Sequence, residues 1–222
     1  AEYCELWADR VYPVADHLTP EEVAMVEPTS VAVHGMETAD LSAGSSIAII
    51  GMGSIGMLLA QVARNYGAAT IFGSDQRKMP LDKAKKLGVD RPVLVSEEDL
   101  KEVVFDETED EGVDVVFDTV GTPETIREGL SLLRRGGTLT QLAGPLEEIS
   151  FPYTALSAEK SIITSANFNY YDMRTAIDFV ERGDVKTKPL ITHRFDLDDA
   201  KKAFEVALHK KEHDALKVMV LP

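Results

Sequence analysis

Three glycines and one aspartate are the residues whose spacing most clearly indicates a chemistry. The glycines form a G-x-G-x-x-G motif over residues 51–56, directly after an apolar run and at the start of an amphipathic stretch. Gly51 permits a tight turn, Gly53 lets the backbone approach a diphosphate, and Gly56 lets a helix pack closely on a strand. In this context the motif predicts a dinucleotide site.

The start of the predicted helix supplies the other half of that site. The first N–H groups of a helix, here those of residues such as Ser54 and Ile55, have no partner within the helix. They point at the place where the phosphates would lie, and the helix dipole favours negative charge there.

Asp75 completes the pattern, 19 residues after Gly56. A carboxylate at this spacing can accept hydrogen bonds from both hydroxyls of the adenine ribose, and it would repel a 2′-phosphate. The cofactor predicted is therefore NAD rather than NADP. Arg77 and Lys78 lie close enough to weaken that preference, and the alternative is that Asp75 is an ordinary turn residue.

The elements that must hold these residues alternate between strands and helices. Six apolar runs are predicted as strands, at residues 46–50, 69–72, 92–95, 113–117, 137–142 and 161–165. Helices are predicted at 55–66, 81–87, 100–105 and 124–134. Such βαβ units give a parallel sheet buried on both faces, so the fold class is α/β, a doubly wound six-stranded Rossmann sheet.

The two ends of the chain fit this sheet less well. Thr19 and Glu22 have the spacing of a helix capping box. Beyond about residue 190 we predict a strand at 190–195, a helix at 197–208 and a strand at 216–221. These flanks are expected to belong to another domain that closes against the sheet.

Composition limits the possible partners. The 222 residues carry a net charge of −15, which disfavours nucleic acid and anionic lipid surfaces. No apolar run is long enough to span a membrane and the first residues do not resemble a secretory signal, so a cytoplasmic location is expected. The single cysteine, Cys4, excludes an internal disulfide framework and is expected to be inert.

The chain resembles the C-terminal part of the medium-chain, zinc-dependent alcohol dehydrogenases, and within them the sorbitol (polyol) dehydrogenase branch. Four stretches carry the resemblance: residues 27–34, the motif 51–56 with Asp75, residues 114–121 and residues 188–195. It implies a remnant of a GroES-like catalytic domain at 1–27, the dinucleotide-binding domain at 28–168 and a return segment at 169–222. The segment that supplies the main zinc ligands in that family has no counterpart in these residues.

The resemblance also implies roles for residues outside the motif. By resemblance the cofactor-binding residues include Val120 and Gly121 under the adenosine, Ala143 and Gly144 beside the nicotinamide carboxamide, and Asn167 and Phe168 in the loop bordering the nicotinamide. Phe168 could equally be a core aromatic. Glu27 matches a family glutamate that coordinates the zinc or holds its water, the alternative being an ordinary carboxylate at a helix start.

The histidines do not form a catalytic or metal-binding pattern. His209 and His213 share a charged stretch and are predicted on a solvated helix face, while His34 is predicted to be a packed residue rather than a proton relay.

The function that these features favour is the cofactor-binding portion of an NAD-dependent, zinc-dependent secondary-alcohol dehydrogenase of polyol or threonine type. These residues alone are expected to bind NAD with little or no hydride transfer, and to form a homo-oligomer through the sheet edge at Ser161–Ser165. The alternatives are a stand-alone NAD-sensing module and a zinc-less quinone or enoyl reductase.

Overall fold

The computed structural model describes residues 5–8, 11–144 and 148–222. Its centre is a six-stranded sheet in the order β3-β2-β1-β4-β5-β6, and every neighbouring pair is parallel. The strands are β1 Ser46–Ile50, β2 Thr70–Asp75, β3 Arg91–Leu94, β4 Val113–Asp118, β5 Leu133–Gln141 and β6 Ser161–Thr164. This is the doubly wound sheet predicted from the sequence.

Helices cover both faces of this sheet, which explains the continuous apolar runs. In β1, Ile47 and Ile49 join the core under one layer of helices, and Ala48 and Ile50 join the core under the other. The eight α-helices given for the described residues are α1 Pro20–Ala24, α2 Val26–Ala39, α3 Ser54–Asn65, α4 Lys78–Lys86, α5 Leu100–Glu107, α6 Pro123–Leu132, α7 Tyr170–Glu181 and α8 Ala200–Leu208.

The C-terminal segment forms a second, two-stranded parallel sheet from β7 Ile191–Asp196 and β8 Lys217–Leu221, joined through α8. Its buried residues Leu190, Ile191, Leu216 and Met219 belong to the same core as α2 and α3. The predicted capping box of α1 is confirmed, because the Thr19 and Glu22 side chains each bond to the other residue's backbone N–H.

Several element boundaries differ from the sequence prediction, and two of them show the physical reason clearly. Residues 133 and 134, predicted at the end of a helix, begin β5, where Leu133 pairs with Val113 of β4. Long-range pairing here overrides a local helical pattern. At the other side of the sheet, β2 continues to Asp75, three residues beyond the predicted end, because Gly73, Ser74 and Asp75 all pair with β3.

Helix α7 was not predicted. Its signal is present in the sequence, since Asn169 and Asp172 form a capping box and Met173, Ala176, Ile177 and Val180 have the spacing of one helix face. The predicted domain boundaries at 27/28 and 168/169 fall within two residues of the starts of α2 and α7, and they stay a prediction. No helix in the described part of the chain is long and apolar enough to cross a membrane.

Candidate functional site

The glycine-rich turn after β1 is built from two kinds of glycine. Gly51 has φ +92°, and a Cβ on it would lie 2.5 Å from Thr119 Oγ1. A Cβ on Gly56 would collide with the carbonyl oxygen of Gly51. These two positions require glycine because of the protein's own packing, as the motif predicts.

Gly53 differs from both. Its backbone is ordinary, with φ −70°, and no heavy atom of the described residues lies within 4 Å of the place where a Cβ would project. The protein's packing therefore does not demand glycine here. The space above Gly53 is open, which is the condition for a ligand to approach the main chain closely.

Helix α3 opens onto this space without a cap. Gly53 is its N-cap residue, and within the described ranges no side chain caps its first turn. The Met57 N–H donates to Gly53 O at 3.0 Å, and the N–H groups of Ser54, Ile55 and Gly56 have no acceptor among the described residues. Such a helix start binds anions.

Asp75 lies at the carboxyl end of β2, beside this turn. Its Oδ2 accepts the Met52 N–H at 3.1 Å, and its Oδ1 accepts the Arg77 N–H at 2.8 Å. The side chain is 14% exposed. Asp75 is thus where the motif places it, and it also fixes the shape of both loops that would border an adenine ribose.

The Arg77 guanidinium contacts the C-terminal segment. It donates to the backbone oxygens of Lys210 at 3.2 Å and Ala215 at 3.4 Å, in the segment before β8, and its Nε lies 3.8 Å from Asp75 Oδ1. These contacts hold Arg77, the one arginine among the predicted cofactor-binding residues, against the C-terminal segment.

Asp118 is a site-forming residue that sequence reasoning missed. It ends β4 and is fully buried, with Oδ1 accepting the N–H groups of Val120 at 2.8 Å and Gly121 at 3.0 Å. Its Oδ2 accepts from Thr125 Oγ1 at 2.8 Å and Gln141 Nε2 at 3.1 Å. The available signal was a carboxylate directly after the apolar residues Val115, Val116 and Phe117.

The turn that Asp118 shapes presents an apolar surface. Val120 is 47% exposed, and its Cγ2 lies 2.7 Å from where a Gly51 Cβ would stand. Gly121 has φ +76°, and a Cβ there would collide with the carbonyl oxygen of Ala143. The β4 turn is therefore in close contact with both the β1 turn and the loop after β5.

The predicted nicotinamide side lies beyond β5 and β6. Gly144 is exposed, Asn167 is exposed with φ +61°, and Phe168 is half-buried. Pro145, which the sequence places in the same turn as Gly144, lies outside the described residues. Buried oxygens without a partner in the described chain include Thr140 Oγ1 and Gln141 Oε1 at the end of β5 and Ser165 Oγ after β6. Buried oxygens that lack a hydrogen-bond partner at this edge fit a ligand that donates hydrogen bonds to them.

All of these residues follow the carboxyl ends of parallel strands, so the fold gathers them at one edge of the sheet. The reversal of strand order lies between β1 and β4, whose next turns contain the glycines and Val120. Dinucleotides bind across such a reversal point. The residues present therefore fit a dinucleotide.

A cavity of about 460 Å³ lies at the opposite edge of the sheet and is lined by residues including Asp40, Asp114 and Arg134. Asp114 and Arg134 are paired at 2.6 Å, and Asp114 also accepts from Ser46 N and Oγ. Because these groups satisfy each other, the cavity is not a second candidate for the dinucleotide.

A zinc site cannot be built from the described residues, which contain no group of three His, Cys, Asp or Glu side chains that could hold a metal. Glu27 is exposed in the first turn of α2, and its role toward zinc stays a prediction. His209 and His213 are exposed as predicted, but they follow the end of α8 at Leu208 and do not lie on a helix face. Cys4 lies outside the described residues.

His34 has a partner that its sequence neighbourhood does not reveal. Its Nδ1 lies 2.8 Å from Oδ2 of Asp172, which is 138 residues away at the start of α7. The His34 side chain is 26% exposed and that of Asp172 is 3% exposed.

Comparison with known proteins agrees with this geometry. Residues 54–182 match the model of a family described as zinc-binding dehydrogenases. Sorbitol dehydrogenase of Bacillus subtilis is 35% identical over 225 residues, a match covering 100% of this chain and 63% of that protein. D-xylulose reductase of Saccharomyces cerevisiae is 32% identical, with 94% of this chain and 60% of that protein covered.

A solved structure from Sinorhizobium meliloti, described as a zinc-binding dehydrogenase bound to NADP, is 28% identical. It superposes with a TM-score of 0.87 over 95% of this chain and 62% of its own. The chain thus spans about three-fifths of the length of the relatives that it matches.

Proposed function

Since the chain belongs to the zinc-binding dehydrogenase family, we propose that it is the cofactor-binding part of an NAD-dependent, zinc-dependent dehydrogenase of a secondary alcohol. One observation carries the proposal. The main chain at Gly53 is open to solvent beside the uncapped start of α3, at the point where the strand order reverses. That combination suits the diphosphate of a dinucleotide.

The two halves of the cofactor would lie on either side of this point. The adenine ribose would bond to Asp75, with the adenine against the exposed face of Val120. The nicotinamide half would extend over the loops after β5 and β6, near Gly144 and Asn167. When bound, the nicotinamide ring supplies the hydride acceptor of the reaction. The residues of this chain position it.

NAD is preferred over NADP in this proposal because of two groups. The carboxylate of Asp75 would repel a 2′-phosphate, and the guanidinium of Arg77 is held by the carbonyls of Lys210 and Ala215. A 2′-phosphate would therefore meet a negative charge without a free arginine to balance it. Because one relative was solved with NADP bound, the preference of this chain for NAD has to be measured.

The substrate class comes from the relatives. The two curated relatives are named for sorbitol and D-xylulose, so a polyol or its ketose is the favoured substrate, with a threonine-type secondary alcohol as the alternative. We expect residues 1–222 assayed alone to bind NAD without oxidising sorbitol, because the described residues do not supply a metal site. A cytoplasmic location stays a prediction.

We also propose that two copies pair through β6. This strand bonds to β5 on one side, and within the described sheet it is the edge strand on the other. An unpaired edge is a template for another strand.

The cofactor proposal is tested with Gly53→Ala. The added methyl group meets no protein atom within 4 Å, so it would occupy only the space proposed for the diphosphate. We expect NAD affinity, measured by calorimetry, to fall roughly ten- to hundred-fold. The loss of stability should stay below about 1 kcal/mol, the effect of alanine as a poorer N-cap than glycine.

Gly56→Ala is the matched comparison. Its methyl group would collide with the Gly51 carbonyl oxygen, so it should lower the free energy of unfolding by about 1–3 kcal/mol as well as weakening NAD binding. A folded Gly53→Ala protein that binds NAD as tightly as the unmodified chain would contradict the proposal.

A further inference from the structure

The segment between β6 and α7 is the last of the loops at the cofactor edge. It runs from Ser165 to Asn169, and it contains Asn167 in the left-handed region at φ +61°. Asparagine is one of the few non-glycine residues that adopt this conformation readily. The contacts that hold the end of this loop can be traced through the first turn of α7.

Asp172 is the centre of those contacts. Its Oδ2 accepts the backbone N–H of Asn169 at 2.7 Å, while Asn169 Oδ1 accepts the N–H groups of Tyr171 at 2.8 Å and Asp172 at 3.1 Å. The two residues form a capping box that fixes where the loop ends and the helix begins.

The same oxygen is also bonded from another helix. Nδ1 of His34 on α2 lies 2.8 Å from Asp172 Oδ2. A carboxylate has no proton to give, so the imidazole is the donor. One carboxylate oxygen thus joins α2 to the residue that closes the loop.

Two further titratable groups near this pair are Tyr66 and Glu37. Tyr66 on α3 donates its hydroxyl to Glu37 on α2. Burial first, then Glu37 and Asp172, raise the pKa of Tyr66, so the phenol keeps its proton and stays a donor to Glu37. His34 is therefore the one side chain of the described residues that pairs with the buried Asp172.

Removing the imidazole would leave a carboxylate that is 3% exposed without its side-chain donor. Such a group either draws in water or moves toward solvent, because an unpaired buried charge is costly. If the carboxylate moves toward solvent, it releases the Asn169 N–H and the loop before it.

We propose that His34 is a positioning residue for the nicotinamide half of the cofactor. Through Asp172 it holds residues 165–169 in the shape that receives that half, and it does not contact the adenosine half. The expected effect on NAD binding rests on the proposed NAD function. The contacts that fix residues 165–169 exist without cofactor, so their effect on the loop can be measured without it.

The first experiment measures the loop directly. Hydrogen–deuterium exchange of the peptide covering residues 165–171 is compared in the unmodified chain, His34→Leu, His34→Asn and Tyr66→Phe. Asparagine places an amide N–H near the position of Nδ1, so it keeps the donor. We expect exchange to rise roughly ten-fold in His34→Leu only. Tyr66→Phe is the control, because it removes a neighbouring interhelical bond that does not reach the loop.

The second experiment separates the two halves of the cofactor. Calorimetry is carried out with NAD and with ADP-ribose, which lacks the nicotinamide. We expect His34→Leu to bind NAD roughly ten-fold more weakly and ADP-ribose with unchanged affinity. The affinities of His34→Asn should stay close to those of the unmodified chain. Equal losses for both ligands, or none, would overturn the inference, as would unchanged exchange in His34→Leu. If His34→Leu does not fold, faster exchange of residues 165–171 in His34→Asn would overturn the inference, because asparagine keeps the donor. If the unmodified chain binds neither ligand, the proposed NAD function is wrong. The exchange experiment alone then tests whether His34 holds the loop.

Discussion

At the scale of single residues, Asp75 has two tasks. Its carboxylate accepts the N–H groups of Met52 and Arg77, so it shapes the loops after β1 and β2. The same carboxylate is proposed to bond to the adenine ribose and to repel a 2′-phosphate. A substitution that separates these tasks must keep the shape of the side chain and remove its charge.

Asp75→Asn is that substitution. The amide retains one oxygen as an acceptor, but it no longer repels a phosphate. We expect the ratio of NAD to NADP affinity, measured by calorimetry, to fall roughly ten-fold, mainly through tighter NADP binding. Asp106→Asn, an exposed position near the end of α5, is the control and should leave the ratio unchanged. Tighter binding of NADP than NAD by the unmodified chain would show that the role given to Asp75 is wrong.

At the scale of elements, helix α6 contains a partly buried glutamate, Glu128, that lies near other negative charges. Burial, followed by the negative charges of Asp99 and Asp118, raises the pKa of Glu128. Asp118 must keep its place because it shapes the turn of Val120 and Gly121. Helix α6 is thus less stable with Glu128 ionised, near a carboxylate that the site requires.

Glu128→Gln should therefore stabilise the protein at neutral pH. Because the pKa of Glu128 is higher in the folded chain than the ordinary value of 4.5, its ionisation disfavours folding above the raised pKa. The gain in unfolding midpoint should be full at pH 8, shrink as the pH falls through the raised pKa and vanish below 4.5. Thermal unfolding across this range tests it.

Glu124→Gln is the control on the same helix. Glu124 is exposed and paired with Arg127, so its neutralisation should not stabilise the protein. A gain for Glu128→Gln that is the same at pH 4 and pH 8 would argue against an electrostatic cause.

At the scale of the whole molecule, the free edge of β6 has a defined set of donors. Ser165 donates its N–H to Gln141 of β5, and N–H groups of alternate residues point to the same side of a strand. The N–H groups of residues 162 and 164 therefore point to the outer edge. Thr164 is exposed, so its N–H can be removed without breaking a bond of the chain's own sheet.

Thr164→Pro uses this geometry. Proline is tolerated on an edge strand when its missing N–H would face solvent, and it blocks pairing with a further strand. Light scattering should give twice the 24.3 kDa chain mass for the unmodified protein and for the Thr164→Ala control, and a single chain mass for Thr164→Pro. An unmodified chain that is monomeric at tens of micromolar, roughly the range of a weak interface, would contradict pairing through β6.

The sequence by itself determined the sheet and the core of the site. Strands buried on both faces must be apolar along their whole length, so the runs at 46–50 and 113–117 identified the strands without knowledge of their neighbours. Gly51 and Gly56 are dictated by a turn only a few residues long, and Asp75 follows at a characteristic spacing. Local physics places all of these, and the structure agrees with their placement.

Only the tertiary structure decided the contacts that join distant segments. The pairing of Leu133 with Val113 converted the end of a predicted helix into strand. The hydrogen bonds from Gln141 to Asp118 and from His34 to Asp172 cross 23 and 138 residues. A hydrogen bond depends on a distance of about 3 Å between two atoms, and a pattern within one segment contains no such distance. For that reason the motif could be predicted from the sequence, while the side chains that hold its surroundings could be identified only in the fold.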